Sequence, residues 1–254
     1  MLKPAFQILI IGASAAALSG CNDGSGSLLN ELNASRAKWE SLNADNYQMT
    51  YQRGCYCMPE STAARTVLVE DNQVRSATII DSGESLDTTA YASLTVDELF
   101  ALIALEESRA ERVEATFHPQ RGYPTSFYVD GSNQIADDEF SITISELYLP
   151  EDVVCTTEVV SGLLVTAENG PDGAPAACGM TITATDGSYS ETVTNDAVGC
   201  EDNSAVSMLE ERPGFYSLTF SKPGFETVTI EDFGIGADLC HVIQRKTKVT
   251  LTPQ

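Results

Sequence analysis

Between residues 28 and 42, Leu28, Leu32, Trp39 and Leu42 recur at helical spacing with Glu31, Arg36, Lys38 and Glu40 between them, which predicts an amphipathic first helix. The period then drops to two. Tyr47, Met49 and Tyr51 alternate with Gln48, Thr50 and Gln52, as a half-buried strand requires. After Cys55-Tyr56-Cys57, the apolar runs 66–69 and 74–80 flank Glu70-Asp71-Asn72-Gln73 and predict a hairpin. Thr95-Val96-Asp97-Glu98 has the spacing of a capping box, so a second helix is expected to start at Thr95. Runs 112–117, 125–129 and 140–147 alternate as strands. Residues 28–150 thus read as an α+β domain on an antiparallel sheet, with the order of two αβββ units. Met49-Thr50-Tyr51 echoes Ala115-Thr116-Phe117, and duplication and coincidence both stay open.

From Leu147-Tyr148-Leu149-Pro150 onward the helical period disappears. Short runs at 159–167, 180–185, 189–194, 206–209, 215–220, 227–230 and 242–251 alternate with turn signals such as Asp186-Gly187 and Pro213-Gly214. Seven short strands over residues 151–254 predict an all-β, immunoglobulin-type sandwich.

The N-terminus carries an address. Met1-Leu2-Lys3 gives one positive charge, residues 5–18 are apolar, and the stretch is too short for a stable transmembrane helix. Leu18-Ser19-Gly20-Cys21 resembles the bacterial lipobox. That resemblance implies a signal peptide over residues 1–20, acyl chains on Cys21, and residues 21–27 as a lipidated Gly/Ser tether. It places the protein in the bacterial cell envelope with the membrane as partner. An Asp directly after the lipidated Cys is an inner-membrane signal in some bacteria. Here Asn22 intervenes before Asp23, which favours the outer membrane.

Charge narrows the partners. The chain has 14 Lys+Arg against 37 Asp+Glu and a formal net charge of −23. Both halves are acidic, so no basic face exists on which nucleic acid could release counterions. Anionic head groups would repel this surface, which leaves covalent lipid as the anchor.

The first domain resembles a family of bacterial lipoprotein domains of unknown function. The matching residues are Trp39, Tyr47 and Tyr51, Cys55-Tyr56-Cys57-Met58-Pro59, Val67-Leu68-Val69, the segment Thr95 to Phe100, Gly122-Tyr123-Pro124 and Asp137-Asp138-Glu139. Where that family has Asp-Pro, this chain has His118-Pro119. The second domain resembles carboxypeptidase regulatory-like, transthyretin-like sandwiches through Gly214, Tyr216, Leu218, Lys222, Gly224 and Phe225. This second resemblance implies a non-catalytic module.

With Cys21 lipidated, six Cys remain in an exported chain, and three disulfides are expected. The four beyond residue 150 allow three pairings, and spacing does not choose among them. The transthyretin-like resemblance implies Cys155 with Cys240 and Cys178 with Cys200, closures contributing about 4.5 and 3.5 kcal/mol. Cys55 and Cys57 close too small a ring to gain more than about 1.6 kcal/mol. Three readings compete for them: a local disulfide shaping a turn, a redox-active dithiol, and a soft-metal site with Met58 or His118. Arg53 is the only cation nearby to stabilise a thiolate.

Other chemistry is thin. His118 and His241 read as packed or surface histidines, and no G-x-S-x-G occurs. Asp137-Asp138-Glu139 lacks a calcium loop around it, and Arg245-Lys246-Thr247-Lys248 reads as charge guarding an edge strand. No catalytic, cofactor or metal residue is assigned. The expected function is a non-catalytic binding, adhesion or assembly module with an envelope protein or polysaccharide as partner. The alternative is a thiol-disulfide or soft-metal-handling protein using Cys55 and Cys57.

Overall fold

The structure, a computed structural model, describes residues 24–88, 93–196 and 199–254. It is mostly β, with three sheets and few helices. Cys21 and the signal-like segment lie outside the described residues.

Helix α1 (Gly24–Glu40) leads into strand β1 (Tyr47–Cys55), a short turn of helix α2 (Pro59–Thr62), and strands β2 (Arg65–Glu70) and β3 (Gln73–Ile79). Helix α3 (Val96–Glu107) precedes β4 (Arg112–Phe117), β5 (Pro124–Asp130) and β6 (Phe140–Tyr148). These six strands form one sheet in the order β3-β2-β1-β6-β5-β4. Both long helices cover the same face, because Leu32 and Trp39 of α1 and Leu99, Phe100 and Ile103 of α3 share one core with Tyr47, Met49, Val67, Phe127 and Ile144. The Thr95 capping box forms as its spacing requires: the hydroxyl accepts from the Glu98 amide while the Glu98 carboxylate accepts from the Thr95 amide.

Two expectations change. Residues 24–27, expected as tether, are helical, because extending an existing helix costs far less than starting one. The helix also stops before Leu42: Asn43 adopts a left-handed φ of 50° that ends the turn, which leaves Leu42 38% exposed.

The duplication fails on handedness. β1 pairs with β6 antiparallel at the sheet centre, so β4 runs opposite to β1. With the helices toward the viewer and each unit's first strand pointing up, β2 lies on one side of β1 and β5 on the other side of β4. Units of opposite hand cannot be superposed by rotation, so the shared αβββ order is not a tandem duplication.

The second half forms two sheets over one separate core. Strands β7 (Ser161–Asn169), β10 (Val206–Glu210) and β13 (Arg245–Leu251) make one sheet, with β13 parallel to β7. Strands β8 (Thr181–Asp186), β9 (Tyr189–Thr194), β11 (Gly214–Ser221) and β12 (Val228–Ile235) make the other, in the order β12-β11-β8-β9. Ile182, Ala184, Leu218 and Phe220 face Leu163, Val165, Val249 and Leu251 across a sandwich-like interior.

The two halves meet where the end of β12 lies on β3. Gly236 is so close that a Cβ there would overlap the Thr78 hydroxyl, and one at Gly234 would stand 2.6 Å from the Ser85 carbonyl. The Ala237 amide donates to Ser76 Oγ at 3.1 Å, and the Leu239 amide to Gln48 Oε1 at 3.1 Å. Arg245 stacks on Phe233 at 3.9 Å and reaches Glu84 at 3.7 Å.

The link itself starts later than the composition shift. Leu149 is buried in the first core, and Asp152 accepts from both terminal nitrogens of the Arg121 guanidinium at 2.6 Å and from the Leu149 amide at 2.8 Å. The exposed stretch is 153–159, where Val154 is 96% exposed. Limited proteolysis is therefore expected within 153–159 rather than at 149–152, and cuts after Cys155 should separate into two bands only on reduction. Gly236→Ala should lower stability by about 1 to 3 kcal/mol and accelerate that cleavage, read by denaturant titration and gel. An unchanged midpoint would contradict the close approach.

Candidate functional site

Gly54 lets β1 run close against β6, since a Cβ there would meet Ser141 Oγ at 2.5 Å. Cys55, opposite Phe140, ends the strand and is disulfide-bonded to Cys57. Tyr56 and Met58 project from this tip at 85% and 64% exposure. Beside it lies a shallow cleft whose walls include Cys55, Tyr56, Tyr128 and Phe140, with the carboxylates of Asp137 and Glu139.

What holds the tip is Arg65, a residue the sequence reading passed over. Its side chain is buried, and the turn α2 wraps it. The guanidinium donates to the carbonyls of Ala63, Glu60 and Ser61, at 3.2, 3.0 and 2.7 Å, and lies 5.9 Å from the Tyr51 ring centre. Burial draws its pKa below the ordinary arginine value. No local pattern marks this arginine, because the backbone carbonyls of Glu60, Ser61 and Ala63 come to it only when the α2 turn closes.

The cleft does not favour thiolate chemistry. Arg53 stacks over Phe140 at 5.4 Å and Arg112 over Tyr128 at 5.7 Å, and the charged groups lining the cleft itself are acids, which disfavour a thiolate. His118 is not brought to the cysteines. It sits in the β4–β5 turn, at the opposite end of the sheet from the Cys55–Phe140 pair, stacked on Tyr123 at 4.9 Å. Its Nδ1 accepts from the Arg121 amide at 3.1 Å. Among the described residues no group of three or more His, Cys, Asp or Glu is placed to hold a metal ion.

The second candidate is the groove at the junction. The structure bonds Cys155 to Cys240 and Cys178 to Cys200. His241 follows Cys240 in a turn pinned by Asp238, whose Oδ1 accepts from the amides of Cys240 and His241 at 2.7 and 2.8 Å. Its ring joins Glu211 Oε1 at 2.8 Å through Nδ1 and Thr156 Oγ1 at 3.0 Å through Nε2. Glu211 also accepts from the amides of Val160 and Val242. Its carboxyl is held below the ordinary glutamate value, first by the Val160 amide and then by His241. Both His241 nitrogens are occupied, so the ring works as a brace between the linker and the last turn.

Asp152 and Glu211 thus clamp the two ends of the linker. Asp152 is likewise held below the usual carboxylate range, first by Arg121 and then by the Leu149 amide. A carboxyl depressed by folding stabilises above its ordinary value and loses that contribution as the pH falls through the depressed one. Hydrogen-exchange protection of the Leu149 and Val160 amides, corrected for intrinsic rate, is therefore expected to be complete at pH 6 and to fall below about pH 4. Constant protection would show that these carboxylates do not hold the linker. In the first module, Arg65→Met is expected to cost about 2 to 5 kcal/mol, because it strands three carbonyls. Replacing Cys55 and Cys57 together by Ser should cost no more than about 1 to 2 kcal/mol. Equal losses in urea unfolding would refute that ranking.

Comparison with known proteins bears on the first half. A model described as "Family of unknown function (DUF6174)" matches residues 31–149, ending at the last buried residue before the linker. No curated protein matches the chain. Among solved structures, "The Bacillus anthracis TIE protein" is similar at 11% identity over 83% of this chain, with a TM-score of 0.25. The chain spans 35% of that protein's length.

Proposed function

We propose that the chain is a lipid-anchored protein of the bacterial cell envelope, in which an α+β domain and a transthyretin-like sandwich form a non-catalytic binding and assembly module. The observation that carries this reading is how the ionisable groups at both candidate sites are used. Arg65, Glu211, Asp152 and Asp238 each hold backbone, and His241 braces Glu211 against Thr156. Groups so occupied set shape and are poorly placed to exchange protons with a substrate.

The sandwich assignment draws support from the positions of its motif residues. Tyr216 and Leu218 are fully buried, Lys222 donates to the Ala176 carbonyl at 2.8 Å, and Gly224 has a φ of +83° that favours glycine. Each has a structural task, which fits a module without an active site. The thiol-disulfide alternative rests on the exposure of the Cys55–Cys57 tip, and the acidic cleft beside it weighs against it.

No helix among the described residues is long and apolar enough to cross a membrane. The anchor in this reading is Cys21. Asn22 and Asp23 alone separate it from α1, and so few residues span at most about 10 Å, which holds the first domain against the bilayer. Cys21→Ala is expected to move the protein from the membrane to the soluble fraction in detergent-free fractionation. Retention equal to the unaltered chain would refute the anchor.

A further inference from the structure

The Cys55–Cys57 tip and the start of α1 lie at the same end of the first sheet. The last turns of α1 pack at the other end, where Trp39 meets Tyr47 at 5.2 Å, Lys38 donates to the Pro119 carbonyl at 2.9 Å, and Gly122 of the β4–β5 turn lies against the Ser35 backbone. Toward its N-terminus the helix keeps Leu32 and Leu29 on the core, so it runs back over the sheet rather than away from it. Its 17 residues carry it about 25 Å, close to the roughly 30 Å of the nine-residue β1. Gly24 thereby reaches the end at which β1 finishes and β6 begins.

At this end apolar side chains stand in solvent. Tyr56 is the most exposed aromatic residue among those described, and Met58 projects from the same tip. The β5–β6 loop, whose Asp137 and Glu139 share a cleft with Tyr56, adds Ile135 at 61% exposure. None of the three belongs to the first core. Single exposed apolar residues are ordinary on a protein surface, so what distinguishes these is their place beside the start of α1. Charge around them is mixed: Arg53 and Arg112 stand over Phe140 and Tyr128, against Glu60, Asp137 and Glu139.

We propose that Tyr56, Met58 and Ile135 rest in the interface of the bilayer that holds Cys21, so that the lipid and the tip orient the first domain through two points of contact. This deepens the lipid-anchored reading and rests on it. Reach selects the occupant. Asn22 and Asp23 span at most about 10 Å between the acylated residue and Gly24, so the bilayer surface comes to the end of the sheet that Gly24 occupies. A tyrosine suits head-group depth, with its ring in apolar contact and its hydroxyl wet, and a methionine adapts to an irregular surface. At that depth the tip backbone keeps its water, and no carbonyl enters hydrocarbon. Three side chains are too small a contact to hold the chain alone. The anchor makes the contact intramolecular and raises its effective concentration. Zwitterionic head groups offer both signs to the mixed charges of the tip, whereas an anionic surface repels a chain of net charge −23.

The acylated full-length chain is reconstituted into phosphatidylcholine vesicles, and Tyr56→Trp and, separately, Met58→Trp are followed by fluorescence after subtraction of the buried Trp39, the chain's one tryptophan. At an unchanged thermal midpoint, both emission maxima are expected to move to shorter wavelength on reconstitution, and both signals should be quenched when the acyl chains carry bromine. Val154→Trp, at the most exposed apolar position and at the opposite end of the sheet, should keep a solvent-like maximum without quenching. Neither tip variant should shift in a Cys21→Ala chain mixed with the same vesicles. A chain that floats with the vesicles while both tip variants stay solvent-like overturns the docking and leaves the anchor standing. A chain that does not float overturns the anchor and the docking with it. A shift without bromine quenching also overturns the docking, because a second copy would then cover the tip, and equal quenching at Val154→Trp overturns the orientation. Exchanging the lipid for phosphatidylglycerol at low salt should weaken both signals, and stronger signals there would overturn the choice of head group.

Discussion

The contact between β12 and β3 decides how the molecule is put together. Two modules with separate cores are held in one arrangement because the backbone at Gly236 approaches β3 closely enough to exclude even a methyl group. That approach explains why Ser76, Thr78 and Ser85 are buried although polar. Each lies where arriving backbone comes too close for a larger side chain, and Ser76 satisfies the Ala237 amide directly. With orientation set there, the linker at 153–159 can stay exposed without the modules swinging apart.

The same constraint gives the acidic residues their local uses. Repulsion among 37 acids would loosen the linker, which the Cys155–Cys240 disulfide and the Thr156–His241 hydrogen bond also tie down. Asp152 and Glu211 reverse that effect at each end, since a carboxylate accepting amide protons is stabilised in its charged form. Acidity therefore serves the junction and solubilises the surface.

In the first module, satisfaction of buried groups matters more than reactivity. Arg65 converts three loop carbonyls into a fixed turn and so positions the Cys55–Cys57 tip. The disulfide adds little closure entropy of its own, while three hydrogen bonds from the arginine tie the turn to β2.

Much of the local structure was legible in the chain itself. The Thr95 cap, the alternation of Tyr47, Met49 and Tyr51, and the inward set Tyr216, Leu218 and Phe220 are local patterns, set by 3.6- and 2-residue periods. Where a single dihedral or a distant partner decided, the sequence was silent. The stop at Asn43 depends on one left-handed residue, and the opposite hand of the two αβββ units depends on β1 pairing with β6 across ninety residues of chain. Arg65 reads as a surface charge until the α2 turn closes over it. The threonines of β8 and β9 follow the same rule. Alternating threonines along β8 and β9 can be read from the sequence, but only the register of four strands places them beside Ser217, Thr219 and Thr229, because adjacency across a sheet is set by long-range pairing and not by neighbours in the chain.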